Sequence, residues 1–160
     1  MAKTFDAAAV QRLIQSGDAR TAILQLEALH LDTEPTSESL YLLAVSCRYA
    51  GDLPRALETV EKLQTLAPKL GRGFQEAGHI HLASQNQEQA LASFRRAVAL
   101  NDSLLASWQA IIKLCSRPEH SQLRKQALIQ SEKLSALPVA LLSVRNALSL
   151  IHISEPTRRI

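Results

Sequence analysis

The 160-residue chain has little of several residue types, and each scarcity narrows what it can be. Aromatic residues make up only 4% of it, and two cysteines, Cys47 and Cys115, are too few for a disulfide framework or a cysteine zinc site. No apolar run approaches the roughly 20 residues that cross a bilayer, and the first residues lack the apolar core of a secretory signal. The net charge is only +3, without a long basic run. We therefore expect a cytoplasmic protein that binds neither membranes nor nucleic acids.

What the chain does contain favours helices. Hydrophobic residues make up 46% of it, and most of them are Ala and Leu. These are strong helix formers, whereas the β-branched residues that favour strands are sparse. The composition therefore predicts an all-α protein before any pattern is considered.

The strongest pattern is an internal repeat with a period of about 34 residues. One column of this repeat contains the pairs Gly17-Asp18, Gly51-Asp52 and Gln85-Asn86. Glycine tolerates the left-handed backbone that ends a helix, and Asp or Asn caps the helix that follows. Each pair therefore predicts a turn between two helices.

Apolar residues follow each turn at helical spacing. Steps of four, four and three from the capping residue reach Ala22, Ala56 and Ala90, then Leu26, Val60 and Phe94, then Leu29, Leu63 and Ala97. Such steps form one apolar stripe along a helix. The helix before each turn has a column with the small residues Ala44 and Gly78, where two helices are expected to lie close together. Each block is thus predicted to be a helical hairpin that buries its stripe by stacking on its neighbours.

These columns resemble the tetratricopeptide repeat. The family's small residue in the first helix is matched by Ala44 and Gly78, its early alanine in the second helix by the alanine column, and its terminal proline by Pro68. The third block has Asp102 in place of that proline. The resemblance implies a right-handed superhelical solenoid of antiparallel helix pairs, whose first helices line a concave groove. It also implies a scaffold or adaptor that binds a peptide or protein.

The predicted solenoid spans residues 3–147. Its repeats are 3–36, 37–70, 71–104, a degenerate repeat at 105–138 and the start of a fifth at 139–147. In the fourth block Arg124 occupies the small-residue column and Pro118 disturbs the turn, so we expect its second helix to be shifted. Residues 148–160 are similar to a translated sequencing-library adapter, which predicts a non-native tail and a natural protein that continues beyond Ala147.

Two features suggest chemistry, but structural roles explain both more simply. His79 and His81 are two residues apart, so on a helix they point about 200° apart and cannot share a metal ion. Cys47 and Cys115 fall in one predicted core column, and no adjacent base is evident that would activate either thiol. We therefore expect no catalytic residue, no cofactor and no metal site in this chain.

The candidate site is the groove that the first helices are expected to line. Its predicted residues are Tyr41, Arg48 and Tyr49 in the second block, Arg72, Gln75 and His79 in the third, and Gln109, Lys113 and Arg117 in the fourth. Tyr and Arg often anchor interfaces, and the set includes bases but no acids. The expected ligand is an acidic peptide or protein segment. A solvated polar face without a ligand accounts for the same pattern.

An alternative concerns the parent protein. Segments 73–79, 99–108 and 134–138 resemble the N-terminal repeats of bacterial tetratricopeptide-containing sulfotransferases. That resemblance implies a downstream transferase domain that uses a phosphosulfate nucleotide donor. Neither a donor-binding loop nor a catalytic base is found here, so this alternative predicts a non-catalytic fragment of an enzyme. A repeat-type secretion or assembly chaperone is a further alternative.

Overall fold

The computed structural model describes residues 4–137, and within that range the chain forms helices and no strands. The α-helices are α1 Ala7–Gln15, α2 Ala19–Asp32, α3 Ser37–Tyr49, α4 Leu53–Leu66, α5 Gly71–Ala83, α6 Gln87–Leu100, α7 Leu105–Leu114 and α8 Ser121–Ser135. A 3-10 helix, Pro118–His120, precedes α8. The all-α class is confirmed for the described part, in which none of the helices has the length and apolarity needed to cross a membrane. The fifth repeat and the tail predicted from the sequence lie outside the described residues.

The helix bounds follow the period of the sequence. The second helices α2, α4 and α6 begin at Ala19, Leu53 and Gln87, each one repeat after the last, and each is 14 residues long. The chain divides after Leu66 into two compact units. Unit 1 contains the hairpins α1–α2 and α3–α4, and unit 2 contains α5–α6 and α7–α8.

The three turns predicted from the sequence share one backbone geometry. The left-handed position is held by Gly17 with φ +88°, Gly51 with φ +81° and Gln85 with φ +60°. At the first turn the Gly17 N–H donates to the Ile14 carbonyl at 3.1 Å, and the next N–H donates to the Leu13 carbonyl at 2.9 Å. The other two turns repeat this pair of hydrogen bonds, which satisfies carbonyls at the end of the first helix.

Side-chain caps then start the second helix of each of these hairpins. The Oδ1 atoms of Asp18, Asp52 and Asn86 accept hydrogen bonds from the backbone N–H three residues later, at 3.2, 3.3 and 3.2 Å. Each bond satisfies one N–H that has no carbonyl partner within the helix. The predicted stop and start signals are therefore both present in the first three hairpins.

In unit 1 the central element is α3. It packs against α1, α2 and α4, and eight of its 13 residues are buried. Ala44 on α3, Ala22 on α2 and Ala56 on α4 are completely buried, as their small-residue columns predicted. At the surface, Arg55 of α4 forms an ion pair with Glu27 of α2. The two hairpins of unit 1 are thus held together around one helix.

In unit 2 the core is built around Phe94 and Trp108. Phe94 is fully buried, and a Cβ atom added to Gly78 would lie 2.7 Å from its ring, so only glycine fits there without movement of the ring. Trp108 is 4% exposed, and its Nε1–H donates to the Asp102 carbonyl at 2.9 Å. Both rings belong to one buried cluster that joins α6, α7 and α8.

The fourth hairpin departs from the other three in how its second helix packs. Arg124 stands in the column of buried alanines but is exposed. Ala127, three residues later, is fully buried instead, and Leu134 is 5% exposed. These two residues are seven apart, as are Ala56 and Leu63 in the second hairpin. The shift expected for this helix therefore affects its packing face, while α8 still begins one full repeat after α6.

Candidate interaction surface

In unit 1 the three candidate residues all lie on α3. This helix starts at a capping box, in which the Ser39 N–H donates to Thr36 Oγ1 at 3.1 Å and Ser39 Oγ accepts from the Thr36 N–H at 2.9 Å. Most of α3 is buried, but Tyr41 and Arg48 are half-buried. They are seven residues apart, which is close to two helical turns, so they share one face.

The end of α3 carries the most exposed aromatic side chain of the described residues. Tyr49 is 62% exposed, whereas the other Phe, Tyr and Trp side chains of residues 4–137 are buried or half-buried. The Arg48 guanidinium carbon lies 4.7 Å from the centroid of the Tyr49 ring, which is cation–π geometry. The pair therefore presents an aromatic ring and a positive charge together at the surface.

In unit 2 the candidate residues of α5 are turned partly toward neighbouring helices. Arg72, Gln75 and His79 share a face and are all half-buried. Gln75 Oε1 accepts a hydrogen bond from Ser107 Oγ of α7 at 2.7 Å. The His79 ring meets the Phe94 ring of α6 edge-on, with centroids 5.1 Å apart and planes at 77°. Gln75 and His79 therefore have structural contacts as well as partial exposure.

The candidate residues of the fourth block are exposed, but they do not share one helix. Gln109 and Lys113 lie on α7. Arg117 was predicted to continue that helix, and this is wrong, because α7 ends at Leu114. Arg117 follows in the connection to α8, where Pro118 starts the 3-10 helix and Glu119 pairs with Arg117 at 3.5 Å. The nine candidate residues thus form separate sets on the two units.

The two cysteines are core residues. Cys47 is fully buried and Cys115 is 1% exposed. Burial raises the pKa of Cys47 to about 11, and the negative charge of Asp52 acts in the same direction. Burial also raises the pKa of Cys115, although the positive charges of Arg95 and Arg124 oppose it. Both thiols are thus protonated at neutral pH, which makes them poor nucleophiles.

The histidines take part in packing. His81 shares the column of the two cysteines and is half-buried. His30 of α2 reaches α3, with its Nε2 atom 2.8 Å from Ser39 Oγ, and burial lowers its pKa. Nothing in the sequence pattern pointed to this contact. Within residues 4–137, no three His, Cys, Asp or Glu side chains are grouped in a way that could hold a metal ion.

The fourth hairpin also contains a cavity that the repeat pattern did not predict. It has a volume of about 530 Å³ and lies where the end of α7 faces the start of α8. Its charged lining consists of Arg117, Arg124 and Lys125, and its remaining lining includes the hydroxyl of Ser121 and the apolar side chain of Leu128. The sequence did carry a signal for it, since Arg124 and the nearby proline both break the repeat.

Comparisons with known proteins add little to this description. No protein-family model matches the chain, and no curated protein is significantly similar to it. Two solved structures align with 80% of it at 15% identity and a TM-score of 0.39. They are "MamA RS-1 ArsTM double mutant", aligned over 91% of its length, and "MamA 41-end from Desulfovibrio magneticus RS-1", aligned over 92%. Similarity at this identity and TM-score carries no conclusion about the function of this chain.

Proposed function

We propose that the chain is a non-catalytic interaction module that binds an acidic segment of a partner protein, as a scaffold or adaptor. The observation that carries this proposal is the Arg48–Tyr49 pair at the end of α3. Tyr and Arg are the residue types most often found to dominate binding energy at interfaces. A guanidinium stacked on an exposed ring is already ordered, so less side-chain entropy is lost on binding.

Charge in unit 2 supports an acidic ligand. Lys113 and Arg117 are exposed and Arg72 is half-buried. Arg117 lies 3.5 Å from Glu119, and Arg72 also interacts with another group of the chain. Positive surface charge attracts acidic segments over a range of about 8 Å at physiological salt, and it accelerates their association. We include the cytoplasm in this proposal because both cysteines are free thiols.

The test uses fluorescence anisotropy with a fluorescein-labelled peptide of alternating Glu and Leu. We expect the whole chain to bind it, to bind the matching Gln and Leu peptide far more weakly, and to lose affinity as salt is raised. Arg48→Glu should weaken binding about tenfold, which corresponds to about 1.4 kcal/mol. Arg20→Glu is the matched control, because it reverses an exposed arginine of unit 1 on α2.

Thermal unfolding followed by circular dichroism would establish that both variants are folded. The groove assignment in unit 1 fails if Arg48→Glu and Arg20→Glu bind the peptide equally well. The interaction function fails if the wild-type chain does not distinguish the acidic peptide from its Gln counterpart.

A second proposal concerns a longer parent protein and rests on the three segments that resemble sulfotransferase repeats. In this proposal the described helices are the non-catalytic part of an enzyme. The coding sequence beyond residue 147 would test it. A strand followed by a phosphate-binding loop and a helix supports the transferase, whereas a stop codon or further repeats would contradict it.

A further inference from the structure

The connection between α7 and α8 differs from every other turn within a hairpin. In the first three hairpins three residues join the helices, whereas six residues, Cys115–His120, join α7 to α8. The longer connection has no left-handed residue, and no side chain caps the N-terminus of α8. The extra chain and the shifted face of α8 accompany the cavity described above.

Positive charge is concentrated around this cavity. Arg117, Arg124 and Lys125 line it, and the charges of Arg95 and Arg124 both act on Cys115 in its wall. Residues 105–137 contain five Lys and Arg but two Glu, a net charge of +3 that equals the net charge of the whole chain.

The two acidic residues of the same hairpin neutralise only part of this positive charge. Glu119 lies 3.5 Å from Arg117 and 3.9 Å from His120, so it offsets part of the charge of one lining cation. Glu132 is exposed near the C-terminal end of α8 and does not line the cavity. The lining of the cavity therefore keeps a net positive charge, to which Arg124 and Lys125 contribute.

Arg124 faces the cavity because of the shifted packing. Its column holds a buried alanine in each of the first three hairpins. Since Ala127 takes the buried place in α8, the arginine side chain is exposed at the cavity. Position 124 thus differs from its three counterparts in residue type, and its side chain is exposed where theirs are buried.

The cavity also has hydroxyl and apolar walls. Ser116 and Ser121 provide hydroxyl groups, and Ile112 and Leu128 provide apolar surface. Its volume is about 530 Å³, and it is open to solvent, because seven of its nine lining residues are exposed. Guanidinium and hydroxyl donors beside apolar carbon suit a carboxylate side chain followed by an apolar residue.

We propose that this cavity is the pocket in which the acidic segment of the partner protein places a carboxylate side chain with an adjacent apolar residue. The inference rests on the proposed function for the class of partner. Arg124 and Lys125 bind the carboxylate, and Leu128 contacts the apolar residue. The shifted packing of α8, which exposes Arg124, thus allows unit 2 to recognise one acidic residue of the segment.

The experiment uses the same Glu and Leu peptide with the whole chain. Arg124→Glu should weaken binding about tenfold, and Arg124→Gln should weaken it less. Lys133→Glu is the matched control, because it reverses an exposed cation on the same helix away from the cavity, and we expect it to change affinity less than about twofold. Amide chemical shifts should change at Ser121 and Arg124 when the peptide is added.

Each result decides the assignment. Equal affinity of Arg124→Glu and Lys133→Glu overturns the pocket, and if Arg48→Glu is still weakened, the proposed function survives. Failure of the wild-type chain to prefer the acidic peptide overturns both. A variant that ends at Leu137 provides one more comparison. If it binds the peptide and the whole chain does not, the cavity holds the chain's own C-terminal segment, and the partner assignment is wrong.

Discussion

The third and fourth hairpins both lie in unit 2, and their second helices begin one repeat apart. The connections between the two helices differ, however. The α5–α6 turn combines the left-handed Gln85 with the capping side chain of Asn86. The α7–α8 connection has neither feature and passes through a 3-10 helix instead. In α6 the predicted stripe is buried, whereas in α8 the buried face lies three residues later. The period of a sequence therefore places helices, while the turn and the neighbouring side chains decide which face is buried.

The largest expected contrast between the two hairpins is in their apolar residues. Phe94→Ala should lower the free energy of unfolding by about 3–5 kcal/mol, because the ring is completely buried. Leu128→Ala removes a side chain that is 44% exposed and should cost less than about 1 kcal/mol. Urea unfolding of the whole chain, followed by circular dichroism, would measure both. Equal costs would show that the fourth hairpin is packed as tightly as the third.

A smaller effect is expected where the helices of the third hairpin cross. Gly78→Ala should cost about 1–3 kcal/mol, because the new Cβ atom would overlap the Phe94 ring. The same change made together with Phe94→Leu should cost less, since the overlapping ring atoms are then absent. A double-mutant cycle measures this coupling. In the fourth hairpin the same column holds the half-buried Ile112, so no such close crossing is expected there. If the costs of Gly78→Ala and Phe94→Leu simply add, the close packing of Gly78 against Phe94 does not distinguish the third hairpin from the fourth.

The residues before α6 and α8 should differ by about 1 kcal/mol in their contribution to the free energy of unfolding. Asn86→Ala removes the hydrogen bond to the Gln89 N–H and should destabilise the chain by roughly that amount. His120 occupies the corresponding position before α8 but forms no side-chain cap, so His120→Ala should change stability by only a few tenths of a kcal/mol. The same urea titration tests this pair. A larger loss for His120→Ala would mean that this residue stabilises α8 in another way.

The smallest predicted effect is a gain. Gln85 has a φ of +60°, which costs energy for a residue with a side chain, so Gln85→Gly should raise the unfolding free energy by about 0.5–1 kcal/mol. Glu119 is the matched position in the fourth hairpin and has no positive φ. There Glu119→Gly should give no gain. Thermal unfolding of both variants would show whether the midpoint rises only for the first.

Much of the fold followed from short-range signals. Gly17-Asp18 and Gly51-Asp52 predicted both the turn and the cap, because left-handed backbone and side-chain capping depend on neighbouring residues. The third turn was predicted only by its register, since Gln85 is not a residue type that favours a positive φ. The buried alanines were predicted because a stripe at helical spacing needs no knowledge of its partner.

The candidate site was less accessible from the sequence. Helical spacing grouped Tyr41 with Arg48, and both lie half-buried on α3. It also extended α7 to Arg117, past the true end of the helix. It also could not show that Gln75 and His79 already contact side chains of other helices, since those partners are distant in the chain. The sequence showed that Arg124 breaks the small-residue column, but it did not show that Ala127 is buried instead and that Arg124 lines a cavity.

The sequence by itself determined the helical class, the period and the first three turns, because each depends on the conformational preferences of residues within a few positions of one another. Only the tertiary structure decided that α8 buries Ala127 in place of Arg124 and leaves a basic cavity beside α7. That choice depends on how the side chains of α6, α7 and α8 fill one core, which no local preference encodes.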